Sequence, residues 1–314
     1  MTSSLQSGSG SLRLFRVSGI QVYLHWSWLL VAWYQIVSRR GAYSSLAWNV
    51  AEYVGLFAIV LLHEFGHAFA SRQVGGESQE ILLWPFGGIA FVKVPPRPGA
   101  ELWSIAAGPL VNVALFPVLL GLTWLSQRAG WSVRIPDFGR LLATLWVINK
   151  WVLIFNLLPI YPLDGGQMLR SLLWFGLGRA RSLQVASIIG FVGIAALAAW
   201  AIWEQSLFRG LMALFLAQQC FAGFKHAQAL LARAKVPRHS GFACPTCREA
   251  PPGGPIWRCE ACGQGFDPFS TRAVCPHCAT RQPATTCPNC TASHPLEAWA
   301  TSPRHEGQAP VIDI

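Results

Sequence analysis

The chain has 314 residues, 53% hydrophobic and 12% charged, with 15 tryptophans, a net charge of +10 and a mean hydropathy of +0.38. Soluble domains carry about 25% charged residues, so this composition excludes an ordinary soluble domain and indicates a membrane protein. The Lys and Arg residues fall mostly at the ends of apolar segments rather than in one patch, which argues against nucleic acid as a partner.

Residues 1–10 are rich in Ser and Gly and read as a flexible tail with no cleavable signal. LRLFRVSGIQVYLHW follows, with strand-like alternation broken at Ser18-Gly19, and predicts a small hairpin. Six apolar stretches come next, at 20–37, 50–71, 101–126, 141–158, 185–203 and 207–231. A helix needs about 20 residues to cross the hydrocarbon core. The fourth stretch contains Asn149, Lys150 and Asn156 and is expected to lie among other helices, with Lys150 snorkelling or pairing with a carboxylate such as Glu52. EILLWPFGGIAFVKV (80–94) is too interrupted by Pro85, Gly87 and Gly88 to span as a helix. It predicts a strand segment at an interface or lining a cavity. The fold expected over residues 11–235 is an all-α polytopic membrane protein of about six transmembrane helices, with small β elements at the membrane interface. With the N-terminus inside, inner loops carry eleven Lys and Arg residues against five outside, Arg39 and Arg40 among the latter. That bias puts both termini in the cytoplasm.

The second apolar stretch contains LLHEFGHAFA. On a helix, positions i and i+4 share a face, so His63 and His67 point the same way with Glu64 beside them. Two such imidazoles suit Zn²⁺, with the glutamate as general base. Ionisable side chains inside a membrane cost several kcal/mol unless paired or solvated, which weighs against the alternative of a structural polar cluster. A catalytic zinc takes three protein ligands, and NLLPIYPLDGG (156–166) offers Asp164 where Pro159 and Pro162 end a span and Gly165-Gly166 allow a sharp turn. A helix cap is the other reading of Asp164.

HEFGH followed roughly 90 residues later by NLLPIYPLDGG resembles the site-2 protease family of intramembrane zinc metalloproteases. The resemblance covers roughly residues 11–231 and extends to GIQVYLHWSW, WPFGGIA and AAGPLVN. It implies zinc held by His63, His67 and Asp164 near the cytoplasmic face, with Glu64 as general base. It also implies that Asn156 steadies the substrate or the developing oxyanion. Asn112 is a further catalytic candidate, an interhelical hydrogen bond being its other reading. The implied substrates are transmembrane or membrane-proximal segments of other proteins; since a substrate helix hides its own amides, it is expected to open into extended form, for which the WPFGGIA strand offers an edge by strand addition. A non-enzymatic scaffold and a metal transporter are the rival readings. The intact Glu64 argues against the first, and the lack of further ligands or related halves against the second.

Residues 244–290 hold four CxxC pairs, Cys244/Cys247, Cys259/Cys262, Cys275/Cys278 and Cys287/Cys290. Such pairs make knuckles that each give two thiolates to a tetrahedral zinc. A disulfide framework needs an oxidising compartment, so a cytoplasmic tail favours zinc: two structural ions besides the catalytic one. The sequential pairing, 244/247 with 259/262 and 275/278 with 287/290, is the simplest, and a crossed one stays open. Residues 236–243 read as a linker, 244–293 as two zinc ribbons and 294–314 as a disordered tail. The ribbons suggest a protein partner or self-association. Cys220 and His226 on the last span read as packing.

Overall fold

The computed structural model describes residues 10–84 and 87–301, apart from the side chains of 87–91, 233 and 234. The predicted tail at 1–10 thus lies, but for Gly10, outside the described residues, as do Pro85, Phe86 and 302–314. The chain divides into two compact units, Met1–Gln228 and Ala229–Ile314.

The first unit opens with the predicted hairpin, β1 (Ser11–Val17) and β2 (Ile20–His25). Ser18 and Gly19 both have positive φ, 49° and 78°, which suits the tight two-residue turns of hairpins. Two further strands, β3 (Glu77–Trp84) and β4 (Gly87–Lys93), complete a sheet of order β1-β2-β3-β4, in which β2 and β3 run parallel. A bulge between Arg13 and Arg16 keeps Leu12 and Val17 on the face of Leu24 and Ile20, and both arginines on the other. Ile20, Val22, Ile81 and Leu83 are buried together with Phe65 and Ala68 of the HEFGH helix, so the sheet is fixed directly to that helix.

The helices that follow are α1 (Trp28–Ser38), α2 (Leu46–Gln73), α3 (Pro98–Arg128), α4 (Trp131–Arg134), α5 (Pro136–Leu157), α6 (Asp164–Trp203) and α7 (Leu207–Lys235), the last continuing past Gln228. Five of them, α2, α3, α5, α6 and α7, are long and apolar enough to cross a membrane. The first predicted span, 20–37, divides differently: its start pairs as β2, and the 11-residue α1 that remains rises only about 16 Å against a core of about 30 Å. As one rod, the 40 residues of α6 would measure about 60 Å. Gly178 breaks it with φ 76° and ψ 168°, a conformation open essentially to glycine alone. The second half of α6 then runs back past Ile160 and Tyr161, which pack on Gly193 and Gly190.

The expected pairing of Lys150 with Glu52 does not occur. Glu52 is buried and bonded to Gln35 and Arg39, 2.7 and 3.1 Å away, while Lys150 lies over the rings of Trp146 and Trp151. Arg39 reaches Glu52 because both stand at the α1–α2 connection. Lys150 satisfies itself on aromatic faces of its own helix.

The second unit contains β5 (Trp257–Arg258), β6 (Gly265–Phe266), α8 (Pro268–Thr271), β7 (Thr285–Thr286) and β8 (Ser293–His294). Its four CxxC motifs share one backbone pattern. In each, the first cysteine's carbonyl accepts from the residue four places on, which has positive φ: Arg248, Gly263, Ala279 and Thr291. The folded unit is wider than the sequence suggested. Phe242, in the expected linker, and Trp299, in the expected disordered tail, pack with Phe269, Cys244 and Cys287. Trp299 is fully buried. Its apolar area holds the segment Leu296–Trp299 against the first knuckle, which local composition does not reveal. Asp267 organises the middle of the unit. Burial pushes its carboxyl upward, but the N–H of Gly254, His239 and Ser270 bring it below its ordinary value.

Candidate metal centres

HEFGH lies on α2, with His63 ten and His67 six residues before its last residue, Gln73, or about 15 and 9 Å along the axis. The helix brings His63 and His67 onto one face with their Nε2 atoms 3.1 Å apart. Asp164 is the first residue of α6, and its carboxylate does not cap that helix. Its Oδ2 lies 3.0 Å from Nε2 of His63 and 3.4 Å from Nε2 of His67. The loop between α5 and α6 sets this position. It contains a cis Tyr161–Pro162 bond, and Gln167 donates from Nε2 to the Pro162 carbonyl. Gly165 and Gly166 serve close approach rather than backbone freedom, since a Cβ on either would lie within 2.5 Å of the loop's own main chain. Arg170 on α6 and Glu101 on α3 form a largely buried ion pair at 3.2 Å, which ties the two helices near the cluster.

These distances test whether a metal fits. Ligands at about 2.0–2.1 Å from a tetrahedral zinc stand about 3.3 Å apart, and the three observed separations bracket that value. The far sides of both imidazoles are also committed. Nδ1 of His67 donates to the Ser104 carbonyl at 2.8 Å, and Nδ1 of His63 is 2.6 Å from Oδ1 of Asn112. Such partners fix ring orientation and leave the other nitrogen for a metal. Oδ2 of Asp164 is buried and has no hydrogen-bond donor in good geometry, as expected of an atom reserved for a cation. Glu64 is buried beside His63.

Comparison with known proteins finds likeness over the same segments of sequence. The sequence profile of peptidase family M50 matches residues 51–132 and 127–200, thus including HEFGH and LDGG. Over these residues the chain matches peptidase family M50, the site-2 protease family. Zinc metalloprotease MJ0392 of Methanocaldococcus jannaschii is 34% identical over 180 residues, 57% of this chain and 50% of that protein. Rip3 of Mycobacterium tuberculosis is 29% identical over 259 residues, 71% of this chain and 64% of that one. The chain therefore spans about half to two thirds of the length of these relatives. A solved structure, the site-2 protease from Methanocaldococcus jannaschii, matches with 28% identity and a TM-score of 0.49, over 68% of this chain and 95% of that chain. With its five long apolar helices, the protein is a multi-pass integral membrane protein.

Asn112, the further catalytic candidate, is fully buried, with Oδ1 2.6 Å from Nδ1 of His63, on the side of the ring opposite the Nε2 that faces Asp164. It also makes the interhelical bond, donating from Nδ2 to Oδ1 of Asn149 at 2.8 Å. Asn156 is half-buried in the last turn of α5, eight residues before Asp164, and makes no side-chain hydrogen bond among the described residues. Three contributors were missed: Ser104 through its carbonyl, Gly108 through its missing side chain, and Asn149. Ser104, Gly108 and Asn112 fall at i, i+4 and i+8 of α3, a spacing from which one helix face could have been read.

In the second unit the eight cysteines form two groups, but not in sequential order. Cys244 and Cys247 meet Cys287 and Cys290, while Cys259 and Cys262 meet Cys275 and Cys278. Facing sulfurs lie 3.5–3.7 Å apart. Thiolates about 2.3 Å from a tetrahedral zinc stand near 3.8 Å apart, so both groups suit that ion. The pairing is nested, one group enclosed in sequence by the other. The reason is the aromatic core: Trp299 and Phe242 close the outer group around Phe269, and Trp257 and Phe266 line the inner one.

Proposed function

We propose that the protein is an intramembrane zinc endopeptidase that cuts peptide bonds in or near the transmembrane segments of other membrane proteins. One observation carries this reading: three ligand-type atoms from HEFGH and LDGG meet in a cluster within the helices, and Glu64, next to His63 in the chain, is buried. His63, His67 and Asp164 would hold the ion, which would supply a Lewis acid and lower the pKa of a bound water toward about 7. Glu64 accepts a proton from the attacking water and returns it to the leaving amine. Asn156, close in sequence to Asp164, steadies the developing oxyanion. A substrate helix hides its amides and has to be opened first. The edge of β4, which has no strand partner on its outer side among the described residues, suits an extended peptide.

The two cysteine groups hold closed structural zincs, and the module they stabilise serves a binding or regulatory role towards a partner protein or a second copy. Both termini are cytoplasmic, as the distribution of Lys and Arg supports.

The test compares wild type with Glu64→Gln, purified in detergent, for zinc content and for cleavage of single-span model substrates. The exchange keeps the ligands and removes the base. Equal zinc in both, with cleavage lowered at least about 100-fold in the variant, is expected. Cleavage by the variant at the wild-type rate would remove Glu64 from this role.

A further inference from the structure

Asn149 has no part in the chemistry outlined above, yet it is fully buried in α5 and both ends of its carboxamide are bonded to Asn112. The oxygen and nitrogen of a carboxamide have nearly the same shape, so their placement follows from what they face. One neighbouring atom has fixed chemistry. The main-chain oxygen of Asn112 can only accept, so the Asn149 atom 2.9 Å from it is the NH₂ group. The other end of Asn149 is then Oδ1, which can only accept, and it faces Nδ2 of Asn112 at 2.8 Å. Oδ1 of Asn112 is left on the side of His63, 2.6 Å from Nδ1. That ring nitrogen has to carry the proton. In a neutral imidazole the second nitrogen is then a bare lone pair, and here it is the Nε2 that lies 3.0 Å from Asp164.

We infer that Asn149 is a positioning residue of the metal site, which acts through Asn112 to fix the tautomer of His63 and keep its Nε2 free for the ion. The inference rests on the reading of this cluster as a zinc site. His67 obtains the same result more directly, since its Nδ1 faces the Ser104 carbonyl. Both imidazoles are thus set by main-chain carbonyls of α3, at positions 104 and 112, one in a single step and one through two side-chain amides. Without Asn149, the Asn112 amide is free to turn over and offer its NH₂ to His63. The ring then accepts at Nδ1 and carries its proton on Nε2, in competition with the metal.

The experiment measures zinc per chain, and the affinity of the membrane zinc by chelator competition, on the full-length protein in detergent. His63→Ala supplies the count for the cysteine groups alone. Asn149→Leu is expected to weaken the membrane zinc 10–100-fold, the usual effect of losing an outer partner, with the other zincs unchanged. The deciding arm is Asn112→Asp. An ionised carboxylate only accepts, so His63 keeps its Nδ1 proton whatever stands at 149. In that background Asn149→Leu should cost about twofold or less, and this rescue also shows that the variant folds. An equal loss in both backgrounds would mean that Asn149 merely packs, and would overturn the inference, as would full affinity in the single variant. Wild type holding no more zinc than His63→Ala would instead refute the zinc reading, and the inference with it.

Discussion

Gly108 stands where α3 passes closest to the two imidazoles. A Cβ at this position would lie 2.3 Å from Nε2 of His67 and 2.8 Å from Nε2 of His63, distances that real Cβ atoms essentially never show. The rings cannot easily yield, because each is held at Nδ1 by α3 itself. Gly108→Ala should therefore displace at least one ligand. A misplacement of about 1 Å costs on the order of 100-fold in rate, so cleavage should fall by that factor or more and the membrane zinc should be lost. Zinc in the cysteine groups should stay, which metal analysis against wild type will read. Gly66 supports the same approach from the other helix, since a Cβ there would meet the Ala107 carbonyl at 2.7 Å. The sequence made the ligands legible because their spacing is chemical: i and i+4 on one helix, an aspartate after a broken span. It did not make Gly108 legible, because the need for a missing side chain arises only from the distance between two helices.

At the scale of elements, legibility followed periodicity. The hairpin could be read from alternation and from Ser18-Gly19, and the five long helices from apolar runs of spanning length. The stretch 20–37 could not, since a short apolar run is compatible with strand and helix alike. Its first part also falls in the hairpin segment and forms β2, and pairing with β1 and β3 together with burial of Ile20 and Val22 against Phe65 and Ala68 of α2 decides against a helix there. The sheet that results leaves β4 as an outer strand, with Gly87 paired to Trp84 and Gly88 to Leu83 on its inner side. A proline at either glycine removes an N–H and fixes φ. Gly87→Pro or Gly88→Pro should lower cleavage at least about 10-fold while the protein keeps all its zinc, because the strand lies outside the ligand set. Cleavage at the wild-type rate by both variants would exclude β4 as the peptide-binding edge.

For the molecule as a whole, the second unit carries the lesson that counting residues between motifs measures chain length and not proximity. Twelve residues lie between Cys262 and Cys275 and eleven between Cys247 and Cys259, so the sequential and nested pairings are equally permitted by reach. The choice is made by Trp299, Phe242 and Phe269, whose burial joins the first knuckle to the last. With so little other apolar sequence, each group needs its metal to fold, and the loss of a thiolate should empty one site. Wild type should hold about three zincs per chain, counting the membrane site. In the nested arrangement, Cys244→Ser combined with Cys290→Ser damages a single group and should leave about two. Cys244→Ser combined with Cys259→Ser damages both groups and should leave about one. Sequential pairing reverses the two results, and a crossed pairing leaves about one zinc in each double variant. Metal analysis of these two proteins beside wild type therefore separates all three arrangements, and only the first agrees with the fold described here.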